Sequence, residues 1–194
     1  MAGTLAVGIC LGLALAYLSP EPQARRAIEW LETPRAVSTF SLMGEEGPFD
    51  ERSLKGQWSI IVFGFLHCPD ICPTSLAELS RLADVIHDSP GSPELQYVFV
   101  SVDPDRDTRA EVSRYVRAFH QDIRGVTGKA GELRQLTQPL GVQFGVANRL
   151  GEYSVAHSAT FSIIDPQGLF SGRFRPGFDE SDVAQELMRL AART

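Results

Sequence analysis

The sequence predicts a three-layer α/β domain, and three observations carry that expectation. Apolar, β-forming runs at residues 58–65 and 95–102 alternate with amphipathic helical patterns, the order of a sheet covered by helices. Near the end of the chain, Asp165-Pro166-Gln167-Gly168 reads as a turn between two short apolar runs, so a hairpin and then a helix close the domain. Finally, 194 residues with 43% hydrophobic and 22% charged content suit one core and are too few for two comfortable domains. A formal net charge of -6 leaves no basic footprint, so nucleic acid is not an expected partner.

Taken in order, residues 2–18 carry no charge and are rich in Leu, Ala, Val and Gly. A bilayer takes about 17–25 apolar residues, so residues 1–19 are expected to form an uncleaved transmembrane anchor helix. A cleaved signal peptide is the competing reading, but no Lys or Arg precedes the apolar run. Arg25 and Arg26 follow the span, and the positive-inside rule would keep that side cytoplasmic. Residues 20–36 contain Pro20, Pro22 and Pro34 and read as a linker, with the folded domain over 37–194.

Within the domain, a strand is expected over 39–43, a turn over 44–48 and a buried strand over 58–65. A helical pattern then starts at Pro73, tolerated at the first helical position, with Leu76, Leu79, Leu82 and Ile86 on one face. Ser89-Pro90-Gly91-Ser92-Pro93 ends it, and the strand at 95–102 follows. Thr108 and Glu111 form a capping box for a second helix, with Val112, Tyr115, Val116 and Phe119 on its apolar side. A short helix at 131–139, strands at 142–147 and 160–164, the hairpin return at Leu169-Phe170, and a last helix capped by Ser181 complete the chain.

Cysteine usage points to the chemistry. Cys10 lies in the apolar N-terminal run, leaving the pair Cys68/Cys72 for the domain. A disulfide this short would staple almost nothing, so reactivity or ligation explains the pair better than stability does. The pair sits where a strand ends and a helix begins, and the positive helix end favours thiolate there. With thiols at the first strand-to-helix junction, a thioredoxin-like fold is the natural candidate. Residues i and i+4 share a helix face, so both sulfurs can reach one ion. A thioredoxin-type dithiol has two intervening residues rather than three. Two buried structural cysteines are the plainer alternative.

A third ligand is sought among the four histidines. His87 and His120 fall near helix ends, where a helix C-terminus accounts for them. His67 adjoins Cys68 and reads as a group tuning the thiols from behind, its ring directed away. His157 is expected on a loop ahead of a strand, either as a ligand or as a solvated loop histidine. Two thiolates and one imidazole would suit copper, especially Cu(I), whereas structural zinc would want a fourth protein ligand that the sequence does not offer.

Four stretches together carry a family resemblance: Phe63-Gly64-Phe65-Leu66-His67-Cys68-Pro69-Asp70-Ile71-Cys72-Pro73, Ser101-Val102-Asp103-Pro104-Asp105-Arg106-Asp107-Thr108, Gly125-Val126-Thr127-Gly128, and His157-Ser158. From about Val37 to the last helix the chain resembles the Sco/SenC family of copper-binding thioredoxin-fold proteins, which serve assembly of the binuclear copper centre of cytochrome c oxidase. The resemblance implies that Cys68, Cys72 and His157 are copper ligands and that the protein is a membrane-anchored copper chaperone. It further implies as partners the copper-bearing oxidase subunit and other copper carriers or thiol reductants. Residues 103–108 would support the rim of the site. The implied location is the inner membrane with the domain facing the periplasm, or the mitochondrial inner membrane in a eukaryote; no Arg- and Ser-rich transit peptide precedes the anchor, which favours a bacterium. The rival reading is an enzyme, a thiol-disulfide oxidoreductase using Cys68 and Cys72 as its redox-active pair.

Overall fold

The computed structural model describes residues 27–149 and 152–191. In chain order they form β1 (Glu29–Ala36), β2 (Ser41–Gly44), β3 (Gly47–Asp50), β4 (Trp58–Gly64), α1 (Ile71–His87), β5 (Leu95–Ser101) and α2 (Arg109–Arg117). There follow β6 (Ile123–Thr127), α3 (Ala130–Leu140), β7 (Phe144–Arg149), β8 (Glu152–His157), β9 (Phe161–Ile164), β10 (Leu169–Phe174) and α4 (Glu180–Ala191). The anchor expected over 1–19, with Arg25 and Arg26, lies outside the described residues. Among the described residues no helix is long and apolar enough to cross a membrane.

The main sheet has the order β1-β10-β9-β4-β5-β6-β2-β3, and β7 with β8 forms a separate two-stranded ribbon. Strands β4, β5 and β6 run parallel, and β4 pairs with β5 from Trp58↔Leu95 to Gly64↔Ser101. A central parallel strand is covered on both faces and so reads as an unbroken apolar run; every residue of β4 is buried. Alternation along the strand sends Ile60 and Val62 to one core, with Leu76 and Leu79 of α1, Val112 of α2 and Leu187 of α4. Ile61 and Phe63 enter the other, with Leu133 and Leu136 of α3 and with Phe40 and Phe49. Helices on both faces of one sheet make the three layers expected, and the architecture is thioredoxin-like. Its consequence for function is positional: β4 delivers the cysteines to the edge of the core, and α1 carries them away from it.

Four expectations are corrected. Residues 29–36, read as linker, are strand β1, paired antiparallel with β10. The indole Nε1 of Trp30 donates to Glu186 Oε1 at 2.7 Å, and its ring meets Trp58 edge-on at 6.2 Å. Pro34 misled because its missing N–H falls where the register shifts, between Trp30 and Arg35, so it removes no ladder bond. Helix α1 begins at Ile71, which puts Pro73 third rather than first; the opening turn has no intrahelical use for that N–H either. The last helix is capped two residues earlier than Ser181, with Asp179 Oδ1 accepting from the Asp182 N–H at 3.0 Å. Finally, residues 152–157 form strand β8, so His157 ends a ribbon strand instead of lying in a loop.

The capping box holds in detail: Thr108 Oγ1 accepts from the Glu111 N–H at 3.3 Å and Glu111 Oε2 from the Thr108 N–H at 3.1 Å. The hairpin at 165–168 is also present, with Gly168 in the left-handed region at φ +81 and its N–H bonded to the Asp165 carbonyl at 2.8 Å.

Candidate metal centre

The sulfur half of the site begins with a glycine. A Cβ at Gly64, the last residue of β4, would lie 2.8 Å from Cys72 Sγ and 2.7 Å from the Phe99 ring. Only glycine lets the second thiol pack against the strand end, which is the close approach that a glycine inside a strand pattern marks. From there the chain turns sharply, with the Cys68 N–H donating to the Phe65 carbonyl at 3.3 Å. Asp70 precedes α1 without a side-chain capping bond; its carbonyl instead accepts from the N–H and the hydroxyl of Thr74, at 3.3 and 3.0 Å. Cys72 falls in the first turn of α1, among unpaired N–H groups at the positive end of the helix.

The two thiols experience different surroundings. Cys68 is half-buried and Cys72 is buried. Burial raises the Cys68 pKa, but the backbone N–H of Asp70, the Cys72 thiol and the N–H groups of Cys72 and Ile71 outweigh it, and the group ends below its ordinary value. For Cys72, burial dominates and the Cys68 sulfur adds to it; the Phe65 backbone opposes weakly, and the thiol is pushed up to about 12. The charge of Asp107 contributes in the same direction.

His157 completes the group from the opposite side. The ring stands edge-on to Phe65 at 5.8 Å, and its Nε2 lies 3.2 Å from Cys72 Sγ. Nδ1 lies 3.3 Å from the Ser158 carbonyl, an arrangement that assigns the proton to Nδ1 and leaves the Nε2 lone pair facing the sulfur. Burial lowers the His157 pKa, keeping the imidazole neutral, as a ligand must be. One ligand atom each from Cys68, Cys72 and His157 lie within 4.8 Å of one another, a group able to hold a metal ion. Gln143, Phe144, Gly145, Ala156, His157 and Ser158 line an open depression of about 370 Å³ beside it, so His157 is reached from the surface.

Other sequence candidates separate from this group. His67 is exposed and its Nδ1 points to Asp107 Oδ1, 3.7 Å away. His120 places Nε2 3.2 Å from Asp84 Oδ1, and its Nδ1 accepts from the Asp122 N–H at 3.2 Å. His87 occupies the last turn of α1, as expected of a helix C-terminus. Two contributors act in ways that no local sequence pattern specifies. Gly64 was signalled only by being a glycine inside an apolar strand run. Asp107, within the residues 103–108 expected to support the rim, has its Oδ2 accepting from the Leu66 N–H at 2.9 Å, inside the strand-to-helix connection; no spacing rule links positions 66 and 107.

The SCO1/SenC family model matches residues 29–192. The chain belongs to the SCO1/SenC family. It is 33% identical over 196 aligned residues to the mitochondrial SCO2 homolog of Bos taurus, covering 97% of this chain and 74% of that protein. Among solved structures, Arabidopsis thaliana ScoI with copper bound matches at a TM-score of 0.73 and 31% identity, over 82% of this chain and all of that one (100%). Yeast Sco1 with copper bound matches at 0.74 and 32%, over 83% and 91% of the two chains. The matched segment contains both cysteines and His157, and it starts at Glu29, the first residue of β1.

Proposed function

We propose that this protein is a copper carrier for assembly of the binuclear copper centre of cytochrome c oxidase. One observation carries the reading: two sulfurs and a neutral imidazole nitrogen converge within 4.8 Å at an open edge of the domain. Soft thiolates with few ligands and an accessible rim suit copper that must be handed on, and two SCO1/SenC relatives have been solved with copper bound. In the reduced protein the thiolates of Cys68 and Cys72 and Nε2 of His157 hold one copper ion as cargo. Joining the sulfurs as a disulfide, with two electrons passing to an acceptor disulfide, removes two of the three ligands and releases it. The receiving partner is the copper-bearing subunit of the oxidase, and the domain works on the extracytoplasmic side of an inner membrane, held there by residues 1–19.

Copper stoichiometry of the reduced full-length chain tests the proposal. One ion per wild-type chain, none in Cys68→Ala/Cys72→Ala and weakened binding in His157→Ala are expected. Unchanged copper content in the double cysteine variant would sink the proposal.

The unequal thiols favour a second reading, thiol-disulfide exchange. Cys68, more exposed and with its pKa lowered, would attack a partner's disulfide; the mixed disulfide would then be resolved by Cys72, leaving the partner as a dithiol and this chain oxidised. Multiple turnovers on a disulfide substrate without copper would favour exchange over carriage.

A further inference from the structure

Asp107 lies at the start of α2, fully buried beneath the cysteine loop. Its Oδ2 accepts from the Leu66 N–H at 2.9 Å and from the Ser101 hydroxyl at 2.6 Å. Its Oδ1 has no hydrogen-bond partner among the described residues and faces His67 Nδ1 at 3.7 Å. The neighbouring Asp103 is equally buried, but Arg106 holds it at 2.6 Å. A buried carboxylate with one oxygen left open costs stability, and fixing a loop does not require its charge, since a neutral acceptor would hold the same N–H.

What the charge does follows from where it sits. Leu66 is two residues before Cys68, and the field of Asp107 reaches the second thiol and the Tyr115 hydroxyl nearby. Two thiolates and a neutral imidazole already give the ligand set a charge of minus two. A further fixed negative charge in a poorly solvated place attracts a dication more than a monocation. We propose that Asp107 is a positioning residue of the copper site that also biases it toward copper(II) over copper(I). This rests on the copper-carrier reading and adds to it a determinant of oxidation state lying outside the ligands.

Asp107→Asn separates the charge from the geometry. Its amide oxygen can take the place of Oδ2 and keep both hydrogen bonds, with the NH₂ group where the open oxygen was. Wild type and variant, as full-length reduced protein, are titrated against a competing chelator for each oxidation state, and the ratio of copper(II) to copper(I) affinity is compared. Proton competition at the thiols is common to both oxidation states and cancels in the ratio. The expected result is one ion per chain in both proteins with the ratio lowered about tenfold in Asp107→Asn, the size of a single charge felt through a protein interior. A folded Asp107→Asn with a ratio within twofold of wild type overturns the proposal. Should that variant fail to fold, Ser101→Ala keeps the charge and removes a donor that partly neutralises it; its ratio is expected to rise, and an unchanged ratio overturns the proposal equally. A wild-type chain that binds no copper would refute the carrier reading itself, a result distinct from either.

Discussion

Cys72 and His157 face each other across 3.2 Å, yet they are held by different kinds of structure. Cys72 grows out of the core: its sulfur packs against Gly64 at the end of a strand buried on both faces, and Leu76 and Leu79 fix its helix against that strand. His157 ends a two-stranded ribbon paired with itself from Phe144↔His157 to Arg149↔Glu152. The ribbon meets the domain through Phe144 and Val155, which pack at the margin of the second core, and its own base is closed by the bond from the Ser158 N–H to the Gln143 carbonyl at 3.0 Å. The sulfur half is over-determined by packing, whereas the imidazole half depends on a few contacts at the ribbon's base. On the carrier proposal, this keeps the sulfurs close enough to join as a disulfide when copper is released, with the imidazole as the more loosely held third ligand.

The largest expected effect comes from breaking the sulfur half without touching a ligand. Gly64→Ala forces a methyl group against Cys72 Sγ and the Phe99 ring, at 2.8 and 2.7 Å. Overpacking of this kind costs about 1–3 kcal/mol, and here it also displaces a sulfur. Lower thermal stability and loss of most copper affinity are expected together, measured by melting and by copper titration on the same preparation. A variant that is destabilised but binds copper normally would show that Cys72 is less tightly seated than its packing indicates.

Next comes the imidazole half. His157→Ala removes one of the three proposed ligands and leaves β4 and α1 untouched, so copper affinity should fall with little change in the potential of the dithiol. An equal shift in both would mean that the two halves are not separable. The pH dependence sharpens the same contrast. Thiols must lose their protons to bind, so affinity rises with pH. Above the lowered pKa of Cys68 and up to about 12, the Cys72 proton alone is displaced, and log affinity should climb by about one per pH unit. Below the Cys68 pKa both protons leave and the slope should approach about two. His157, with its pKa lowered by burial, adds a third proton at still more acid pH. Affinity titrations across pH locate both breaks; a single slope throughout would contradict the inequality of the thiols.

Much of this contrast is legible in the sequence, though unevenly. The sulfur half reads well because it rests on local rules: an apolar run marks β4, the spacing of Leu76, Leu79, Leu82 and Ile86 marks α1, and the pair lies between them. The imidazole half reads poorly. His157 looks like a loop residue because the ribbon buries little, and its ligand role enters through family resemblance rather than periodicity. Longer-range features escape for a related reason. Trp30 reaching Glu186 and Asp107 reaching the Leu66 N–H join positions more than forty residues apart, or nearly the whole domain, and depend on how layers stack rather than on any local pattern. Pro34 shows the opposite error, where a reliable local breaker is accommodated at a register shift that only the paired strand reveals.

The smallest effect tests whether the ribbon's seating is transmitted to the metal. The Arg134 guanidinium of α3 stands over the Phe144 ring at 5.9 Å, and Phe144 is the register partner of His157. An exposed cation–π contact is worth roughly 0.5–1 kcal/mol, so Arg134→Ala should scarcely move the melting temperature. If the base of the ribbon sets where His157 sits, copper affinity should nonetheless fall slightly, while the potential of the Cys68/Cys72 pair stays at its wild-type value. A shift in that potential would mean that loosening the ribbon reaches the thiols, and the division between a core-built sulfur half and a peripheral imidazole half would have to be given up. An unchanged affinity would place the seating of His157 in the Phe65 ring and the Ser158–Gln143 bond instead, since these hold it independently of α3.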